Sequence, residues 1–91
     1  MRTGRRFIRM HALAGTGQVG VATSKSLGNR PQRNRIRRRI QSACRQVGVP
    51  SSLDLVVLAK GSAADATYED LVLEIQESLE ELTARWDARS E

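Results

Sequence analysis

Aromatic side chains are nearly absent from this 91-residue chain, with Phe7, Tyr68 and Trp86 making up 3% of it. Its core must therefore come from Val, Leu, Ile and Ala, and in one small domain such a core is thin. Cysteine occurs once, at Cys44, which excludes an internal disulfide and a Cys-based metal site of the usual spacing, and favours a reducing compartment. No apolar run approaches the ~20 residues that span a bilayer, and the Arg-dense start lacks the apolar stretch of a secretory signal. The chain reads as soluble, with no membrane partner.

The most telling absence is of acid. Residues 1–45 hold no Asp or Glu but twelve of the fifteen cations, a charge of +12. The rest sets Lys60, Arg85 and Arg89 against ten acids, a charge of −7, so the net +5 conceals a division into halves. Thirteen of the cations are Arg, whose planar fork matches phosphate oxygens bidentately and stacks on bases, so the basic half suits nucleic acid. A lone His11, a lone Cys44 and surface acids supply no constellation for protein-based hydrolysis.

Residues 5–14 alternate as a strand, with Ile8, Met10, Ala12 and Ala14 on one side and Phe7, Arg9, His11 and Leu13 on the other. Gly15-Thr16-Gly17 interrupts the run before residues 18–24 resume it, which predicts a hairpin. Asn29 is a candidate helix cap, with Pro31 in the first turn and Gly48 and Pro50 as the stop. Between them Ile36, Ile40, Ala43, Cys44 and Val47 form one apolar stripe, Asn34, Arg38, Gln41 and Arg45 point away from it, and Arg35, Arg37 and Arg39 flank it. Residues 53–60 contain a continuous apolar run, read as a central strand buried on both faces. After a loop at 61–66, Thr67 and Asp70 have capping-box spacing ahead of a helix with Leu71, Ile75, Leu79, Leu82 and Trp86 on one side and Glu69, Asp70, Glu74, Glu77, Glu80 and Glu81 on the other. Trp86 reads as a helix-end core anchor and Cys44 as a small core residue. The order is strand, strand, basic helix, strand, acidic helix. It makes one α+β two-layer domain over 1–86 with a frayed tail at 87–91.

The run from Ser24 to Arg39, with Ser24-Lys25, Gly28-Asn29 and Arg33-Asn34-Arg35 in that order, resembles the signature of the protein subunit of bacterial ribonuclease P. Residues 54–59 look like that family's D-x-V-V-x-A strand and 63–82 like its closing helix. The resemblance covers about residues 4–82. It implies a left-handed βαβ crossover, as in the second domain of a small-subunit ribosomal protein. It also implies an RNA-binding subunit of an endoribonuclease in the bacterial cytoplasm. There the catalytic RNA, with bound Mg²⁺, removes the 5′ leader from precursor tRNA, and no protein side chain is catalytic. Partners would be the ribonuclease P RNA and the leader, with no obligate protein partner.

Carried over by position, Lys25, Asn29, Arg30, Arg33, Asn34, Arg35, Arg37, Arg38 and Arg39 form the RNA-binding set, with Asn34 a candidate for indirect metal contact. Phe7, Met10 and His11 are candidate leader contacts. The chain departs from the family where Arg30-Pro31 follows Gly-Asn and where Cys44 replaces a common aromatic. It also starts almost at its first strand, without the family's opening helix, which places leader binding below binding to the catalytic RNA. The rival readings are a general basic RNA-binding module of ribosomal-protein type, which has no reason to carry the ordered motif, and a truncated homologue with impaired leader binding.

Overall fold

The computed structural model describes residues 1–90, with side chains for 1–88. Strands β1 (Arg2–Gly4), β2 (Ile8–Ala14), β3 (Val19–Thr23) and β4 (Leu53–Ala59) form one sheet in the order β1-β2-β4-β3. Helix α1 (Arg30–Val47) connects β3 to its parallel neighbour β4, and α2 (Tyr68–Ser90) follows β4. The inward residues of β2 and β4 share a single core with Ile36, Ile40, Ala43 and Cys44 of α1 and Leu71, Ile75, Leu79 and Leu82 of α2. Both helices thus cover the same sheet face, giving the two-layer α+β sandwich that the segment order implies.

The strand pattern differs from the sequence reading in three respects. β1 was not anticipated, because three residues are too few to show alternation; it pairs antiparallel with β2 through Thr3 opposite Met10. β2 and β3 do not form a hairpin, since β4 lies between them and pairs with both. The 15–18 connection therefore has to cross the end of β4, and Asp54 holds it there. One carboxylate oxygen accepts the backbone N–H groups of Thr16 at 2.8 Å, Gly17 at 3.1 Å and Gln18 at 2.9 Å. A Cβ at residue 15 would collide with that carboxylate, so the crossing requires Gly15. Third, β4 is central but buried on one face alone. Leu53, Leu55, Val57 and Ala59 are inside while Val56 is 43% exposed, because no second layer covers the other face.

The helices begin as their boundary residues dictate. The Asn29 side chain accepts the Gln32 N–H at 3.0 Å while the Gln32 side chain accepts the Asn29 N–H at 2.9 Å, satisfying two orphan donors reciprocally. α1 stops at Gly48, whose φ of +87° suits glycine and whose N–H donates to the Cys44 carbonyl. At α2 the same reciprocal pair forms between Thr67 and Asp70, at 3.1 Å in each direction. The helix then continues through Ser90, so the tail expected to fray from 87 is helical as far as the described residues reach; Glu91 lies outside them.

Candidate nucleic-acid interface

Helix α1 presents two unlike surfaces. Ile36, Ile40, Ala43 and Cys44 are 0–5% exposed against the sheet and α2, which anchors the helix and fixes its rotation. Arg30, Asn34, Arg35 and Arg38 consequently stand exposed, with Arg33, Arg37 and Arg39 half-buried along the flanks. Lys25 and Asn29 are exposed in the turns that lead from β3 into the helix. The set picked out in the sequence is therefore contiguous, running from the end of β3 over the first three turns of α1.

Electrostatically this surface opposes its own fold. Arg30 and Arg33 lie in or beside the first turn, which contains no acid, at the end where the helix dipole is already positive. Arg33 with Arg37 and Arg35 with Arg39 are like charges four residues apart, a spacing that destabilises a helix by a few tenths of a kcal/mol per pair. Among the described residues, ion pairs are made by Arg5 and Arg85 with Glu81, and none of the α1 arginines has an acidic partner. Besides the Asn29 cap, a side-chain bond along this surface runs from the Arg37 guanidinium to the Asn34 amide oxygen at 3.3 Å. That oxygen is thus engaged by a cation, and Asn34 sits among arginines with no carboxylate nearby. A directly bound dication does not fit this donor set.

The sheet face away from the helices is a second open surface on the same molecule. The register aligns Gly4, Arg9, Leu58 and Ala22 in one cross-strand row and Arg2, His11, Val56 and Gly20 in the next. Cations and the imidazole lie over β1 and β2, aliphatic side chains form the middle, and the β3 side is almost bare. Leu13, 52% exposed, extends the aliphatic floor. The three candidate leader contacts separate here. His11 is on this open face, but Met10 is 0% exposed and Phe7 is 6% exposed, both in the core. The pleat decides this for Met10, which shares a side with Ile8 and Ala12. Phe7 lies before the strand, where its N–H donates to Glu74 of α2 at 2.9 Å and the Arg6 guanidinium sits 5.0 Å from its ring centroid. Arg2 and Arg9 were missed as partners of His11. The alternation of Arg9 and His11 with Ile8 and Met10 was the available signal, but its meaning depended on which side the helices cover.

The remaining ionisable groups explain the frame. Burial pushes the Cys44 thiol up to about 11 despite neighbouring Arg45, so it is an inert core residue. The N–H groups of Gln18, Thr16 and Gly17 hold the Asp54 carboxyl below its ordinary range. Glu81 is also lowered, first by the Thr3 hydroxyl and then by Arg85 and Arg5. Along with Glu74, which accepts the Phe7 N–H, it faces the β1–β2 side of the sheet. Among the described residues no three of His, Cys, Asp and Glu come together as a metal site, and no helix is long and apolar enough to cross a membrane.

Comparison with known proteins agrees with the motif. The family model for ribonuclease P matches residues 2–83. The chain is 36% identical over 73 residues to the ribonuclease P protein component of Clostridioides difficile, taking in 77% of this chain and 60% of that protein. It is 36% identical over 62 residues to that of Thermus scotoductus, taking in 68% of this chain and 38% of that protein. The chain thus spans between 38% and 60% of the length of these relatives. Among solved structures, the RNase P protein of Staphylococcus aureus superposes with a TM-score of 0.65 at 27% identity, covering 92% of this chain and 78% of that one. The Thermotoga maritima protein, at 16% identity and a TM-score of 0.69 over 93% of this chain and 82% of that one, shares the fold.

Proposed function

Because the chain belongs to the ribonuclease P protein family, we propose that it is an RNA-binding subunit of the endoribonuclease that removes the 5′ leader from precursor tRNA. The observation that carries this reading is the self-repelling arginine surface of α1. It has no acidic partner among the described residues and is anchored by a core it does not serve. A polyanion with regularly spaced phosphates relieves that repulsion, and Arg forks at the positive end of a helix suit phosphate oxygens. Lys25, Asn29 and the arginines from Arg30 to Arg39 would contact the catalytic RNA.

The open sheet face is the natural path for the single-stranded leader. Arg2 and Arg9 would take its phosphates, His11 would meet a base by stacking, and Val56 and Leu58 would form an aliphatic floor. In this reading hydrolysis belongs to the RNA subunit and its Mg²⁺. The protein side chains position RNA and move no proton.

The test is precursor-tRNA cleavage by a bacterial ribonuclease P RNA at low Mg²⁺, with and without the chain. Stimulation is expected, together with an RNA affinity whose log-log salt slope is on the order of −4 to −6, corresponding to five to seven neutralised phosphates. A flat salt response would remove the electrostatic basis of the reading. Binding without stimulation would separate the grip on catalytic RNA from the grip on the leader.

A further inference from the structure

The two edges of the sheet are treated differently. β1 is three residues long and carries Arg2, and the outward carbonyl of Arg2 is taken by the Arg85 guanidinium at 3.1 Å. Short length, charge and side-chain capping are the usual ways of blunting an edge. β3 at the opposite edge has none of them. Its five residues, Val-Gly-Val-Ala-Thr, include no charge and no proline.

The direction of its backbone groups follows from the ladder. The Leu55 N–H donates to the Gln18 carbonyl and the Ser24 N–H donates to the Ala59 carbonyl. In a parallel pair alternate residues bond to the neighbour, so with this register Gly20 and Ala22 turn their N–H and C=O toward β4. Val19, Val21 and Thr23 turn theirs outward. At the Val19 end of this edge, between the 15–18 connection and the C-terminal end of α1, lies a groove of about 460 Å³ lined by Gly17, Val19, Gln41, Arg45, Gly48 and Val49, with Cys44 at its base.

We propose that the outer edge of β3 and this groove take an extended acidic segment of a partner protein as a fifth strand. Alternating N–H and C=O groups match another polypeptide; the carbonyls would repel phosphates, which argues against RNA here. The groove is apolar at Val19 and Val49, where a side chain at one end of an added strand would pack. Arg45 is exposed, lies beyond the arginines assigned to RNA and is the charged side chain among the residues lining the groove, so the complementary segment is acidic. A second copy is disfavoured by the same charge, because pairing two β3 edges brings two basic α1 helices side by side.

The test uses the full chain and an end-blocked octapeptide of alternating glutamate and valine, with a lysine-for-glutamate counterpart. Hydrogen exchange by NMR should slow about ten-fold or more at the Val19, Val21 and Thr23 amides when the acidic peptide binds. Val21→Pro removes an outward donor and spares the β3–β4 bonds, so it should weaken peptide binding about ten-fold with the circular dichroism unchanged. Arg45→Glu should weaken it comparably, and it decides the matter if Val21→Pro does not fold. Unchanged exchange at the three amides overturns the proposal, as does equal binding of the lysine peptide. So does protection of those amides by single-stranded RNA or by concentration-dependent dimerisation in place of the peptide.

Discussion

Helices α1 and α2 are built alike and charged unlike. Each starts with a reciprocal capping box and lays an apolar stripe on the same core. In α2 the charges close to the sheet are engaged: Glu74 accepts the Phe7 N–H, and Glu81 meets Arg5 and Arg85. In α1 cations accumulate with no acid opposite them among the described residues. The contrast separates what a helix needs in order to fold from what it carries for another molecule. Caps and stripe suffice for the first, and the charge of α1 belongs to the second.

The comparison has two sides that can be tested separately, and the core comes first. Ile40→Ala in α1 and Ile75→Ala in α2, both at fully buried positions, should each cost about 2 to 4 kcal/mol in denaturant unfolding. A markedly smaller loss for Ile40 would mean that α1 is not anchored as its partner helix is. Next, replacing Arg35 and Arg38 with Ala should weaken RNA affinity by about ten-fold or more while leaving the melting temperature unchanged or raised, since like-charge repulsion is removed. A fall in melting temperature would show that those arginines serve the fold, and the contrast with α2 would collapse. Smaller still, Asn29→Ala and Thr67→Ala should each cost about 1 kcal/mol of stability, read by thermal unfolding, because the caps are equivalent.

The last effect concerns pH. Asp54 and Glu81 have folded-state values below their ordinary ones. Their contribution to stability is therefore present above the unfolded carboxylate range and is lost as pH falls through the lower folded values. Asp54→Asn should flatten that acid-side loss in a pH series of unfolding midpoints. An unchanged series would mean that the three N–H bonds across β4 carry little pH-dependent stability.

Both helices were legible in the sequence because their information is local: the Asn29 cap with Pro31, Thr67 with Asp70, and stripes repeating within a few residues. The basic surface was legible for the same reason, as Ile36 and Ile40 fix which arginines face out. Strand pairing was not. β2 and β3 are separated by a four-residue connection that invites a hairpin, and only Asp54, nearly forty residues further on, reveals that the connection crosses another strand. The same remoteness hid the open sheet face. Alternation divides Arg9 and His11 from Ile8 and Met10, but deciding which side is covered requires the placement of both helices. Phe7 precedes the start of β2 at Ile8, where strand alternation no longer fixes its side, and its ring enters the core.

The insertion of β4 between two strands adjacent in sequence also sets an order of folding. β3 has no ladder to join until residues 53–59 exist, and β2 until then has only the short β1 beside it. During synthesis the +12 half is made before its central strand, by a time on the order of a second at ordinary elongation rates. The pairing of β2 and β3 into one sheet is therefore delayed until β4 is present, and over that interval the positively charged segment has no completed sheet to lie on.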